Sequence, residues 1–193
     1  MTNHFTRGSG ILEGFLSKKR ADKANSLINT KLREGRILDV GCGSYPYFLT
    51  ETNFKEKFGI DPSLEETKIK GISLSKSDIT NDPISFSDDY FDVVTMLAVF
   101  EHIDNYKLDN VLSQIHRILK KEGRLIITTP APWADKVLHS MAYLGLISKE
   151  EIHEHKHNLK RKSIEEILGE AGFKNIKSGF FELGFNMWFS VEK

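Results

Sequence analysis

The chain has 193 residues, of which 39% are hydrophobic and 28% charged, a composition typical of a globular protein with a sizeable core. Lys plus Arg and Asp plus Glu both number 27, so the net charge is zero, which argues against broad electrostatic binding of nucleic acid. The single cysteine, Cys42, excludes an internal disulfide framework and favours the reducing cytoplasm, and we recognise neither a signal peptide nor a membrane span. We expect one domain over residues 1–193, with the oligomeric state left open.

The first 34 residues precede the main motif. Between residues 11 and 34, apolar side chains recur at roughly helical spacing with Lys and Arg between them. This pattern predicts one or two amphipathic helices that pack on the domain.

The most informative stretch is RILDVGCGSY, residues 36–45. Its apolar run predicts a buried parallel strand that ends near Asp39. Gly41 and Gly43 permit a tight turn and a close approach of the backbone to a ligand. A short helix is expected over residues 46–54, so the segment is typical of a nucleotide-binding βαβ unit.

Two further carboxylates follow strands. A second strand, residues 58–60, ends at Asp61-Pro62, and Asp61 lies 18 positions after Gly43. At that separation a carboxylate accepts hydrogen bonds from ribose hydroxyls in nucleoside sites. A third strand over residues 72–76 is followed by Asp78.

The second half of the chain predicts a central strand from FDVVTMLAVF, a helix over 105–121 that stops at Gly123, and a fifth strand, RLIITTP. Residues 131–162 carry apolar side chains at helical spacing and a His-rich loop, which predicts a lid over an acceptor site. Ser163 is expected to cap a helix that ends at Gly172, and the last two apolar segments predict a hairpin at the sheet edge.

The predicted fold is therefore α/β, with helices on both faces of a Rossmann-like sheet of seven strands, mostly parallel with an antiparallel C-terminal hairpin. With its motifs in this order, the sequence resembles the class I S-adenosylmethionine-dependent methyltransferases, in particular their small-molecule group that includes ubiquinone-type and envelope-sugar enzymes. The resemblance covers roughly residues 35–182. It rests on ILDVGCGS, GIDPS, SKSDIT, FDVVTMLAVFEHI, HRILKKEGRLIITTP and EHKHNLKRKSIEEILGEAGF.

The resemblance implies S-adenosylmethionine as cofactor and S-adenosylhomocysteine as product. It implies that Asp61 binds ribose and that Asp78 and Ile79 read adenine. The implied cofactor-binding residues are Asp39, Gly41, Cys42, Gly43, Asp61, Pro62, Asp78, Ile79, Met96 and Leu97. Two positions depart from the family pattern, because Tyr45 replaces a third glycine and Ala98 replaces a residue that is often polar.

Methyl transfer from a sulfonium needs mainly position and desolvation, and needs a base only for acceptors such as hydroxyls. Candidate catalytic residues are His155, whose imidazole has the most suitable pKa, followed by His102 and Glu101. Structural roles stay open, with Asp61 and Asp78 as helix caps, Glu101 and His102 as loop anchors and Cys42 as a small buried residue. We expect no metal site, although His153, His155 and His157 alternate.

Three functions remain. The first is methyl transfer to an oxygen or other nucleophile of a small-molecule or glycan- or lipid-linked acceptor. The second, a nicotinamide-dependent oxidoreductase, is disfavoured because Gly-x-Gly-x-x-Gly fails at Pro46. The third is a non-catalytic binding or scaffold protein that keeps the fold. The absence of an Asn/Asp-Pro-Pro-Tyr sequence argues against methylation of amines on DNA bases.

Overall fold

The computed structural model describes residues 13–64, 69–134 and 159–193, which form one sheet between two layers of helices. In chain order the elements are α1 (Glu13–Leu27), β1 (Arg36–Val40), α2 (Tyr47–Glu51), β2 (Glu56–Asp61), β3 (Ser73–Lys76), β4 (Phe91–Leu97), α3 (Asn105–Ile118), β5 (Leu119–Pro130), α4 (Arg161–Glu170), β6 (Lys174–Phe181) and β7 (Asn186–Glu192). Short 3₁₀ turns cover Thr30–Glu34, Phe100–His102 and Glu182–Gly184.

The sheet has seven strands in the order β3-β2-β1-β4-β5-β7-β6. The first five strands pair in parallel, and β7 pairs antiparallel with both β5 and β6. The predicted fold class is therefore confirmed, including the terminal hairpin. The chain order reverses between β1 and β4, and in open α/β sheets such a reversal opens a crevice at the carboxyl ends of the strands.

Alternate residues of the central strands contribute to two separate hydrophobic cores, because successive side chains of a strand point to opposite faces of the sheet. Ile37 and Val93 pack with α1 and α2 on one face, whereas Leu38 and Val94 pack with α3 and α4 on the other. Helices therefore cover both faces, and the carboxyl ends of β1 and β4 lie between the two layers.

Asp92 fixes the opposite, amino end of β1. Its carboxylate accepts hydrogen bonds from the Arg36 amide at 2.8 Å and from the Lys120 ammonium at 2.7 Å. Gly35 makes room for it, because a Cβ there would lie 2.0 Å from an Asp92 oxygen. This carboxylate is remote from the crevice and binds main chain at the far end of the same strand.

The structure corrects several helix boundaries. The helix after the glycine turn covers only Tyr47–Glu51, so it is shorter than the predicted 46–54 and contributes little helix dipole. The last helix begins at Arg161 with Lys160 as its N-cap, so the Ser163 capping box is wrong. An ion pair from Arg161 to Glu165 at 3.6 Å supports the earlier start.

The prediction that α3 reaches residue 121 and stops at Gly123 is also wrong. α3 ends at Ile118, and Leu119 already pairs with Phe91 in the sheet. Residues 120–123 form a bulge, because the next partner of β4 is Arg124. Gly123 is required inside this bulge, since a Cβ would lie 2.7 Å from the Lys120 carbonyl oxygen.

Most of the predicted lid, including His155, lies outside the described residues. At the N-terminus, α1 and the Thr30–Glu34 turn account for the predicted one or two helices. In the described part of the chain, no helix combines the length and apolar character needed to cross a bilayer.

Candidate functional site

The glycine turn after β1 is hydrogen-bonded to the end of β2. Gly41 and Gly43 have φ of 72° and 74°, values that favour glycine because a side chain would be strained there. The amides of Gly41 and Cys42 both donate to the Ile60 carbonyl, at 2.8 and 3.2 Å. The turn is therefore held in one conformation by main-chain hydrogen bonds.

Cys42 points away from the crevice into the core. Its side chain is 3% exposed, and an added Cβ on Gly59 would lie 2.9 Å from its sulfur. Gly59 is thus the residue of β2 that makes space for the thiol. Of Cys42, only the main chain is placed to approach a ligand, and the interpretation of its side chain as a small buried group fits this packing.

Asp61 joins β2 to the glycine turn. One carboxylate oxygen accepts the Gly43 amide at 2.9 Å, and the other accepts the Ser63 amide at 2.8 Å and the Ser63 hydroxyl. The side chain is 1% exposed, whereas the following Pro62 is exposed. The structure therefore brings together the two residues that the sequence placed 18 positions apart, and it adds Ser63.

Asp39 is also buried, at 3% exposure, and pairs with a residue of β4. Thr95 lies directly opposite it in the parallel register and donates its hydroxyl to the Asp39 carboxylate at 2.6 Å. A hydrogen bond to a charged acceptor of this kind fixes the carboxylate one residue before the last β1–β4 pair, Val40 with Met96. Thr95 was not identified from the sequence, since it lies 56 residues away.

Asp78 organises the turn that follows β3. Its carboxylate accepts hydrogen bonds from the Thr80 amide and hydroxyl at 2.9 and 2.8 Å and from the Asn81 amide group at 2.6 Å. Burial alone would raise the pKa of Asp78, but these hydrogen bonds and the charge of Lys107 lower it below its ordinary value. Asp78 is therefore an ionised acceptor that also closes a turn, and because no helix follows it before β4, it is not the helix cap that was left open above.

Ile79 is buried at 6% exposure beside this carboxylate. The hydrogen bonds that close the turn use the amides of Asp78, Thr80, Asn81 and Asp82. The neighbouring amide of Ile79 takes no part in that closure. The Asp78 carboxylate and the Ile79 amide are thus neighbours on this turn, and their role toward adenine stays a prediction from the sequence.

The end of β4 forms the floor of the crevice. Met96 is 0% exposed and packs toward α3 and α4, whereas Leu97 is partly exposed on the other face. Ala98 follows with φ of 56° and donates its amide to the Thr128 carbonyl at 2.9 Å. The main chain therefore turns sharply here, and Met96 can present only backbone to a ligand.

The catalytic candidates differ in accessibility. Glu101 is 3% exposed, and one of its carboxylate oxygens has no hydrogen-bond partner among the described residues. His102 is partly exposed in the same 3₁₀ turn. His155 lies outside the described residues, as do His153 and His157. Within the described ranges no group of three His, Cys, Asp or Glu residues is arranged to hold a metal ion.

Asp39, Asp61 and Asp78 thus lie at or just after the carboxyl ends of β1, β2 and β3, and Asp61 is hydrogen-bonded to the glycine turn. A family model described as a methyltransferase domain matches residues 12–178 of this chain. The chain belongs to that methyltransferase family. The match covers the sheet from β1 to β5 and every cofactor residue that the sequence motifs implied.

Individual relatives agree with this membership. An uncharacterized protein of Methanocaldococcus jannaschii is 29% identical over 153 residues, which are 75% of this chain and 67% of the relative. Among solved structures, an S-adenosylmethionine-dependent methyltransferase from Archaeoglobus fulgidus has a TM-score of 0.70 at 20% identity, over 92% of this chain and 94% of that one. Human N-acetylserotonin methyltransferase, solved in complex with S-adenosylmethionine, has a TM-score of 0.66 at 12% identity, over 93% of this chain and 55% of that one.

The two structures share their fold with this chain, which is the class I S-adenosylmethionine-dependent methyltransferase fold. The family and the fold together support S-adenosylmethionine as the cofactor of this methyltransferase. The sequence motifs had implied the same cofactor.

Proposed function

We propose that this methyltransferase transfers the methyl group of S-adenosylmethionine to an oxygen or other nucleophile of a small-molecule or glycan-linked acceptor. The observation that carries the proposal is the hydrogen bond between the Gly43 amide and the Asp61 carboxylate, 2.9 Å long. It holds a buried carboxylate next to the main chain of a glycine turn, where a nucleoside can approach the backbone closely.

The described residues fit the cofactor on chemical grounds. Asp61 supplies acceptor oxygens for ribose hydroxyls, and Asp78 supplies an ionised acceptor for the exocyclic amine of adenine, next to the Ile79 amide. Asp39 lies near the carboxyl end of β1, where its carboxylate would attract the ammonium group in the amino-acid portion of the cofactor. Gly41 and Gly43, Pro62 and the main chain of Cys42, Met96 and Leu97 complete the proposed cofactor site.

When bound, the cofactor supplies a methyl group on a positively charged sulfur, which is already a good leaving group. The protein's task is then to orient the acceptor, to exclude water and to take up a proton where the acceptor is a hydroxyl. His102 suits the proton transfer better than Glu101, because the Glu101 side chain is 3% exposed and the His102 ring is partly exposed. We propose that Glu101 acts by holding the turn, and His155 stays a prediction from the sequence.

A small acceptor is favoured over nucleic acid by the zero net charge of the chain. Cys42, the one cysteine of the sequence, is buried and has no second cysteine to pair with, which accords with our proposal of a reducing, cytoplasmic setting. The low exposure of Glu101 also favours a second candidate, a binding protein that keeps the fold and the cofactor without catalysis. The two candidates differ in whether a methylated product forms.

The test is calorimetric titration of the full chain with S-adenosylhomocysteine, with NAD titrated in parallel. Micromolar binding of the first and none of the second is expected, and Asp61→Asn should weaken it while Asp92→Asn should not. Transfer of radiolabelled methyl groups into a panel of hydroxyl, amine and carboxylate acceptors then separates an enzyme from a binding protein. Tight binding of NAD, or equal affinity in the Asp61→Asn variant, would overturn the proposal.

A further inference from the structure

The turn between β6 and β7 lies at the same edge of the sheet as the cofactor residues. β7 runs antiparallel to β5, with Pro130 opposite Asn186 and Thr128 opposite Trp188, and Thr128 is in turn opposite Leu97 of β4. The carboxyl end of β5 and the start of β7 therefore adjoin the carboxyl end of β4. The turn Glu182–Gly184 directly precedes that start.

This turn has an unusual backbone. Glu182, Leu183 and Gly184 have φ of 51°, 56° and 91°, so two residues with side chains occupy the left-handed region in succession. Such strain persists only where the surrounding structure enforces it, and it concentrates at functional sites. Its effect here is to turn Leu183 outward, where it is 96% exposed, while Glu182 points inward and is half-buried.

The Glu182 carboxylate is incompletely satisfied. One oxygen accepts a hydrogen bond from the Asn186 amide group. The other oxygen is buried and has no hydrogen-bond partner within the ranges that the structure describes. Leaving a buried acceptor unsatisfied is costly, so a donor from outside the described residues would be bound favourably.

The charges around Glu182 also favour binding of a hydrogen-bond donor. Burial raises the pKa of Glu182 above its ordinary value, although the Asn186 hydrogen bond and the charges of Arg20 and Lys19 act to lower it. The two basic residues, both on α1, thus compensate the carboxylate only in part. A hydrogen-bond donor placed at the second oxygen would complete the compensation.

An exposed aromatic side chain lies at the turn that carries this carboxylate, since a Cβ on Gly184 would lie 3.5 Å from the Trp133 ring. Trp133, which follows β5, packs against Phe185 with ring centroids 4.5 Å apart and is still 49% exposed. Leu183 adds a second large exposed side chain at the same turn. Exposed apolar groups around a convergent polar group are typical of a binding site for a small molecule.

We propose that Glu182 binds the methyl acceptor, its second carboxylate oxygen accepting a hydrogen bond from a hydroxyl or ammonium group while Trp133 contacts an apolar part of the same molecule. This inference rests on the proposed function and narrows the acceptor to an amphipathic compound with a donor group. Glu182 is a specificity-determining residue in this scheme and does not contact the cofactor.

The test uses three phenylethyl probes: 2-phenylethylamine, 2-phenylethanol and their donor-free analogue, 2-phenylethyl methyl ether, which is one methyl group larger. Their binding to the full chain saturated with S-adenosylhomocysteine is measured by ligand-observed NMR. At least one donor-bearing probe should bind about tenfold more tightly than the ether, the gain of one hydrogen bond to a charged group. Preference for the amine identifies an ammonium, and preference for the alcohol identifies a hydroxyl.

Glu182→Met, which removes both acceptor oxygens, should abolish the preference. Glu192→Gln is the matched control, because Glu192 lies at the far end of β7 and pairs with Arg124 there at 3.4 Å. Both variants should bind S-adenosylhomocysteine as the parent does, which also reports that they fold. This inference alone would be overturned by equal binding of all probes, by no binding of any probe, or by a preference that survives in Glu182→Met. If the parent protein failed to bind S-adenosylhomocysteine, the proposed function would be overturned as well.

Discussion

Replacing Asp61 by Asn tests the central feature of the site, because the change keeps the shape of the side chain and removes its charge. The carboxylate accepts hydrogen bonds from the Gly43 amide and from both the amide and the hydroxyl of Ser63. An Asn side chain has a single acceptor oxygen, so its NH₂ group must face at least one of these N–H donors. At 1% exposure, water cannot repair that mismatch.

The size of the effect follows from the hydrogen bonds that are lost. Leaving a buried donor unsatisfied costs about 1–3 kcal/mol of unfolding free energy, and a hydrogen bond to a charged acceptor is worth about 1.5–3 kcal/mol. If the same carboxylate receives a ribose hydroxyl, its loss weakens S-adenosylhomocysteine binding by about 10- to 150-fold. Asp61→Asn should therefore reduce both stability and cofactor affinity.

Two measurements separate these effects. Urea denaturation of the free protein gives the change in unfolding free energy, and calorimetric titration at a temperature where circular dichroism shows a folded chain gives the dissociation constant. Asp92→Asn is the control, since Asp92 also holds a main-chain amide of β1, at 2.8 Å, but at the amino end of the strand. It should lose stability with no change in affinity. A dissociation constant for Asp61→Asn within about twofold of the parent value would refute the reasoning, because one charged hydrogen bond is worth more than that.

Three further changes test the surroundings of the site. Gly59→Ala should cost about 1–3 kcal/mol of unfolding free energy, because the new methyl group would lie 2.8 Å from a Leu74 carbon and 2.9 Å from the Cys42 sulfur. Cys42→Ala in the same chain should restore only the part that is due to the sulfur, as measured in a urea denaturation cycle. Thr95→Val should cost about 1–3 kcal/mol by removing the 2.6 Å hydrogen bond to the buried Asp39, whereas Thr95→Ser should cost much less; equal losses would show that this hydrogen bond is not the cause. Burial, with the charges of Lys193 and Lys174, lowers the pKa of His116, so its contribution to stability is present above the unfolded pKa of about 6.5 and is lost as the pH falls through the lower folded value. Denaturation midpoints should thus fall on acidification below about pH 6.5, less steeply in His116→Gln than in the parent, and parallel curves would contradict this assignment.

Local sequence patterns predicted the strands and the order of the acids but not the boundaries that long-range contacts decide. β1 and β4 are short segments dominated by apolar and β-branched residues, which favours buried strands. α3 ends earlier than its pattern suggests, because Leu119 pairs with Phe91, a residue remote in sequence. Ser163 has the sequence of a capping box, yet contacts of Arg161 with Glu165 and with the ring of Phe180 set the start of the helix.

In the candidate site, too, local patterns were predictable from the sequence and long-range contacts were not. The approach of Asp61 to Gly43 followed from a spacing known for nucleoside sites, and the Asp78 turn is visible in the local sequence SDITND. The partnership of Thr95 with Asp39 spans 56 residues and depends on the register of two strands. Glu182 belongs to no motif that we recognised in the sequence. The one local signal was Gly184, which indicates a turn but not the direction in which the Glu182 side chain points. Such contacts become visible only when the strand order is known.

The hydrogen bonds from the glycine turn to the Ile60 carbonyl affect both ligand binding and the tolerance of the site to substitution. The turn is fixed by amides that donate to a carbonyl, so the ordering of this backbone, worth about 1–2 kcal/mol per residue, is completed when the protein folds. A ligand that arrives later meets a rigid surface and loses none of its binding energy to ordering it. Because a main-chain carbonyl accepts these hydrogen bonds, substitution of Ile60 by another β-branched residue should leave them intact. Proline at position 42 would remove one of the two amides that donate to it.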